Sequence, residues 1–187
     1  MQVTDGNYRV MEQLGATDGS AMERQLWTVD APVLLVPPRP PLACRTIQLS
    51  LPPAGGSGVT VNGLEPRTVE GAVVHNTTVM TPTLRLTGTY DGEALTLTEP
   101  PMPGEEGRGF AERRVTPDEA ELVPVEPVAL QTLRQSLRTD LGDQLLQSSA
   151  LGGILHLVVA AAAEEQAGQL RARYGPHLVI SSWLRPV

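Results

Sequence analysis

The chain has 187 residues, 41% apolar and 19% charged, a globular composition with room for one ordinary domain or two small ones. Its 14 basic residues are all arginine and face 21 acids, for a net charge of −7, so lysine-based chemistry is excluded and a phosphate backbone is repelled overall. Aromatics make up 3%, too few for a base-stacking platform. No run reaches the roughly 18 apolar residues of a membrane helix.

The opening Met1–Gly6 has neither a basic nor an apolar leader region, so the chain as it stands reads as no secretory precursor. A chain that began after a removed signal would read the same. Residues 1–25 are expected to be an N-terminal extension, with Val10–Leu14 a short strand or one helical turn. Only Pro176 and Pro186 of the 17 prolines lie beyond Pro127. Proline disrupts helix interiors and central strands, so the front two thirds should be strands and loops and the last third free to form helices.

A mostly antiparallel β domain is expected over 26–103. Leu26–Val29 and Pro32–Val36 read as strands, and Pro37–Pro41 as a stiff polyproline connector. Ile47–Leu51 alternates as a half-buried strand ended by Pro52-Pro53. Gly55-Gly56-Ser57-Gly58 reads as a loop, because no Gly-Lys-Ser/Thr follows to make a phosphate cradle. Val69–Val74 is a further candidate strand. Thr83–Tyr90 and Ala94–Thr98 alternate cleanly around Asp91-Gly92, the strongest hairpin signal in the chain.

Residues 104–126 read as an acidic, Pro/Gly-rich linker. A small helix–strand–helix–strand unit follows over 127–187, which makes the fold class α+β. Val128, Leu130, Leu133, Leu137 and Leu141 recur at helical spacing after Pro127, which suits the first helical position. Ile154–Ala161 suits a buried strand. A helix with Glu164-Glu165 in its first turn should present Ala163, Ala167 and Leu170 inward and end at Gly175. His177–Trp183 is the last strand, parallel to Ile154–Ala161 across the helix. Two parallel strands are too few to stand alone, so this unit must gain a strand or pack on the β domain.

Cys44 is the only cysteine, so no intrachain disulfide and no cysteine-based zinc site can form; it reads as a small buried apolar residue. Segments such as Ala31–Leu35, Leu42–Cys44, Leu49–Pro53 and Leu86–Pro101, with Gln169–Gly175, resemble a group of uncharacterised actinobacterial two-domain proteins. The resemblance covers about residues 28–103 and 155–185. It implies a small β domain followed by a small α/β unit, in proteins that are often predicted to be secreted or lipid-anchored. In that group a second cysteine often follows the Pro-Pro step, where this chain has Ala54 or Gly55; the departure removes a disulfide and with it an argument for an extracytoplasmic location. The absence of lysine fits a GC-rich genome.

His75, His156 and His177 are the candidate chemical residues, and each reads first as structural. No third ligand is in register with His156 and His177 for a metal. Ser149, Ser181 and Ser182 have no identifiable base, and no nucleophile elbow is present. Asn76-Thr77-Thr78 matches a glycosylation acceptor pattern. The acid pairs Glu105-Glu106 and Asp118-Glu119 read as solvating charge in the linker, and Glu164-Glu165 as a helix start. No residue is therefore assigned to catalysis, to a cofactor or to a metal. The expected function is a non-enzymatic protein-interaction or structural module with a protein partner, no nucleic acid and no membrane span. The alternative is a small hydrolase with a histidine-containing site between the two domains.

Overall fold

The computed structural model describes residues 25–48, 50, 55–107, 112–117 and 121–187. The element expected at Val10–Leu14 falls outside these residues. Of the strand expected over Ile47–Leu51, Ile47 ends a strand that begins at Leu42, Gln48 and Ser50 are in no strand, and residues 49 and 51 fall outside the described residues. The class is α+β and strand-rich.

The front part contains β1 (Leu26–Leu35), β2 (Leu42–Ile47), β3 (Gly56–Asn62), β4 (Val73–His75), β5 (Thr78–Tyr90), β6 (Ala94–Leu97) and β7 (Met102–Pro103). β1 runs antiparallel to both β2 and β5, β2 antiparallel to β3, β3 parallel to β6, and β6 antiparallel to β5. The order β1-β2-β3-β6-β5 therefore returns to β1 and closes a five-stranded barrel. Closure removes most strand edges. β4 and β7 pair with the rest of β5.

The two strands expected at Leu26–Val29 and Pro32–Val36 are one. β1 continues through Pro32 because its register with β5 shifts between Pro32 and Leu34, a bulge that accommodates proline. Inside the bulge Val33 N–H is satisfied by the Thr81 hydroxyl at 2.9 Å. Pro37–Pro41 belongs to the turn between β1 and β2, which Arg39 N–H closes on the Val36 carbonyl at 3.0 Å. In the Asp91-Gly92 hairpin the Asp91 carboxylate accepts from the backbone N–H groups of Glu93 and Ala94, at 2.9 and 2.8 Å. Gly92 there takes φ +102°, which a side chain would resist.

The rest of the chain supplies β8 (Arg113–Arg114), α1 (Pro127–Leu141), β9 (Leu145–Leu151), β10 (Ile154–Val159), α2 (Glu164–Tyr174), β11 (Leu178–Ser182) and β12 (Arg185–Pro186). A second sheet has the order β8-β11-β10-β9, with β10 and β11 parallel across α2. The expected parallel pair thus gains two strands. β9 was not anticipated, because Leu-Leu-Gln-Ser-Ser-Ala-Leu lacks a β-branched residue and follows helix-like sequence; it is made a strand by the Gly152-Gly153 hairpin to β10. β8 lies in the stretch read as linker, where Val115 is buried and the Thr116 hydroxyl accepts the Ile180 N–H at 2.8 Å. Val128, assigned to the inner face of α1, is 78% exposed; Leu130 and Leu137 carry that face.

Two cores result. One lies between the second sheet and its helices, around Leu137, Leu155, Leu157, Leu178 and Ile180. The other fills the barrel, and it includes Val158, Ala160, Ala161, Trp183 and Leu184 from the C-terminal unit. The two parts are thereby packed on a shared core. β12 then joins the barrel, pairing with Trp27 and Thr28 of β1. Beside it Asp30, fully buried, accepts from Arg85 Nε at 3.0 Å and Arg185 Nη2 at 2.8 Å.

Candidate functional site

Where the barrel meets the C-terminal unit, a cleft of about 700 Å³ remains open. One wall is Leu42 of β2, the first five residues of β3 and the β5–β6 turn at Tyr90, Gly92 and Glu93. The other is the end of α1, Leu141, with Gly142–Leu146.

The β3 wall is built by glycine for a steric reason. The pairing of β2 with β3 is bulged between Cys44 and Thr46. This brings β2 so close that a Cβ on Gly58 would lie 1.8 Å from the Ala43 carbonyl oxygen, and one on Gly56 would lie 2.3 Å from that of Thr46. Glycine is required at both positions. The strand therefore starts at Gly56, inside the stretch read as a loop. The alternation of Gly56 and Gly58 leading into Val59-Thr60-Val61 was the available strand signal.

The same bulge turns Arg45 into protein rather than solvent. It is 6% exposed and pairs with Glu112 at 2.5 Å and with Gln147 of β9, clamping β2 to the second sheet. Its Nε has no partner among the described residues.

The acids of the cleft are Glu93 and Asp143, both exposed, and no basic side chain lines it. Tyr90 is buried, and its hydroxyl donates to the Gly92 carbonyl at 2.8 Å. Burial first, then the charges of Asp91 and Glu93, raise its phenol well above the usual range. Asp91 is held below the usual carboxylate range by the N–H groups of Ala94 and Glu93. Neither group is poised to exchange a proton near neutral pH.

The sequence-singled residues go elsewhere. His75 is exposed at the β4–β5 turn, where Asn76 has φ 55°. His156 on β10 stands opposite Val179 and Ser149. It is not paired with His177, which precedes β11 and whose carbonyl accepts the Leu155 N–H. Ser149 and His156 share a sheet face without a hydrogen bond between them. The buried Ser182 hydroxyl donates to the Leu184 carbonyl at 2.6 Å and accepts from Ala162 N–H at 3.0 Å, a structural role. Cys44 is 2% exposed, and burial pushes its thiol up to about 11. Glu105 pairs with Arg85 and Glu164 with Arg113, while Asp118-Glu119 lies outside the described residues. Among the described residues no group of three His, Cys, Asp or Glu side chains could hold a metal, and no helix is long and apolar enough to cross a membrane. Glu93, Asp143 and the β3 glycines were missed as site residues, because only the fold brings positions so far apart in sequence to one cleft.

Compared with known proteins, the chain matches no family model, no curated protein and no solved structure.

Proposed function

We propose that this protein is a non-enzymatic interaction module that takes a protein partner in the cleft between the barrel and the C-terminal unit. The observation that carries the reading is the composition of the cleft. It has two carboxylates, strand backbone, the hydroxyls of Ser57 and Thr60 and a set of leucines, with none of the three histidines and no thiol in its walls. A surface of that kind can bind and orient, but it holds no nucleophile–base pair.

Topology supports the same location. Counting the barrel strands β1, β2, β3, β5 and β6 as first to fifth, a first strand paired with the second and fourth, and a third parallel to the fifth, is the arrangement of the five-stranded Greek-key barrel of the OB type. Such barrels bind oligonucleotides and oligosaccharides on the face of strands two and three and on the adjoining loops. This is a fold-level analogy, and it supports the place of binding rather than the ligand. Acids in the cleft and a net charge of −7 disfavour a phosphate chain, and the strand backbone lining the cleft favours an extended protein segment over an oligosaccharide.

The test is site-specific photocrosslinking in host-cell lysate from Thr60, in the cleft, and from Glu99, exposed outside it. A discrete protein adduct from the Thr60 probe alone is expected. Equal labelling from both positions would refute the location. Turnover of a hydrolysable substrate that is lost in His75→Ala, His156→Ala or His177→Ala would refute the non-enzymatic reading.

A further inference from the structure

The barrel is open along part of the seam between β3 and β6. β6 is four residues long and pairs with β3 only at Thr60, Val61 and Asn62. The preceding residues of β3, Gly56 to Val59, pair with β2 on one side and, among the described residues, with no strand on the other. All four of these residues line the cleft.

The direction of the backbone can be read from neighbouring bonds. Val61 donates its N–H to the Pro41 carbonyl, and the Gly55 carbonyl accepts the Gln48 N–H. Odd-numbered residues therefore turn their backbone groups toward β2, and strand alternation turns those of Gly56 and Gly58 toward the cleft. Both are glycines for the steric reason given above, so no side chain of their own shields these donors and acceptors. Proteins usually cover or charge such an edge, because it templates another strand.

We propose that this edge is a strand-addition site for an extended, basic peptide segment of a partner. The inference rests on the reading of the cleft as a binding site. Main-chain hydrogen bonds to Gly56 and Gly58 would supply the register, as in other peptide-binding sheets. The choice of a basic peptide follows from charge. Glu93 and Asp143 are the charged side chains of the cleft, with Asp91 next to the first, and none is balanced there by an arginine. Alternate side chains of an added strand would point to one face, where arginines can reach these carboxylates.

The probe is fluorescent Arg-Val-Arg-Val-Arg, titrated into the full chain and read by anisotropy at low and high salt. Three controls are the same peptide N-methylated at alternate residues, Glu-Val-Glu-Val-Glu, and the Glu93→Gln/Asp143→Asn variant. Both substituted residues are exposed, so the variant should fold. The expected result is binding that weakens about tenfold or more on N-methylation and in the variant, the size of losing a few main-chain or charge-assisted contacts. The acidic peptide should not bind. Amide hydrogen exchange at Gly56 and Gly58 should slow on binding.

Equal binding of the N-methylated peptide, or unchanged exchange at both glycines, would overturn strand addition. So would a concentration-dependent dimer that itself protects these amides, since a second copy would then occupy the edge. If the peptide fails while Thr60 still crosslinks a protein, strand addition falls and the binding module stands. If both fail, both readings fall.

Discussion

Replacing Asp30 with asparagine should reveal what a fully buried carboxylate shared by two arginines contributes. The carboxylate is fully buried, and it accepts from Arg85 Nε at 3.0 Å and Arg185 Nη2 at 2.8 Å. A hydrogen bond to a charged group contributes about 1.5–3 kcal/mol when well protected. The arginines are 35% and 25% exposed, so water screens them and each contact is better taken at about 1–1.5 kcal/mol. The variant should therefore lose about 2–3 kcal/mol at neutral pH, or about 5–10 °C in Tm for a chain of this size. Its pH dependence carries the sharper test. Burial raises the Asp30 carboxyl, but the Arg85 and Arg185 hydrogen bonds and the Arg85 charge outweigh it, and the net shift is downward. A carboxylate lowered in the folded state stabilises above its unfolded pKa of about 3.9 and loses that contribution as pH falls through the folded value. Urea titrations from pH 7 downward should show the difference between wild type and Asp30→Asn constant to about pH 5 and shrinking below about pH 4. The other acids are common to both proteins and cancel. A neutral-pH difference under about 1 kcal/mol, or one that does not change with acid, would refute this account.

Three other outcomes follow from the packing. Cys44, at 2% exposure and with its thiol pushed up to about 11, should react with a thiol reagent slowly in the native protein and fully after denaturation; fast native labelling would contradict its burial. Gly58→Ala should cost more than about 3 kcal/mol, since backbone rather than a movable side chain meets the new Cβ at 1.8 Å, and a thermal melt within about 2 °C of wild type would show that β2 can shift. Trp183→Ala should cost about 3–5 kcal/mol and lower the barrel and the C-terminal unit together, in one calorimetric transition, because Trp183 sits in the barrel core; two separated transitions would show that the parts are independent.

Sequence patterns located the elements whose signals are local. The Asp91-Gly92 hairpin, α1 after Pro127, α2 ending before Gly175 and the parallel pair around it follow from turn chemistry, capping and periodicity. What escaped was set by distant partners. Pro32 looks like a strand end until Thr81 is seen supplying the bond its bulge needs. Val128 fits the helical stripe of Leu130 and Leu137, but it lies in the first turn of α1 and is exposed. β8 has two residues and no pattern of its own; β11 makes it a strand. The cleft was illegible for the same reason, since its walls meet only when the C-terminal unit packs on the barrel. The three histidines tied to a site between the two parts line no wall of the cleft.

The sharing of the barrel core with Trp183 and Leu184 also bears on how the protein reaches its native state. Asp30 meets Arg185 across 155 residues of sequence, and β1 needs β5 and β12 before its pairing is complete. Loop closure over such separations is costly before any contact offsets it, so the search should be slow compared with that of a helical protein of equal length. Until the β11–β12 segment docks, the core shared with the barrel lacks Trp183 and Leu184, and Trp27 and Thr28 of β1 lack their β12 partners. That interval is when the chain is most prone to self-association, and dilution or a chaperone that holds apolar surface should raise the refolding yield more than added stabilising salt.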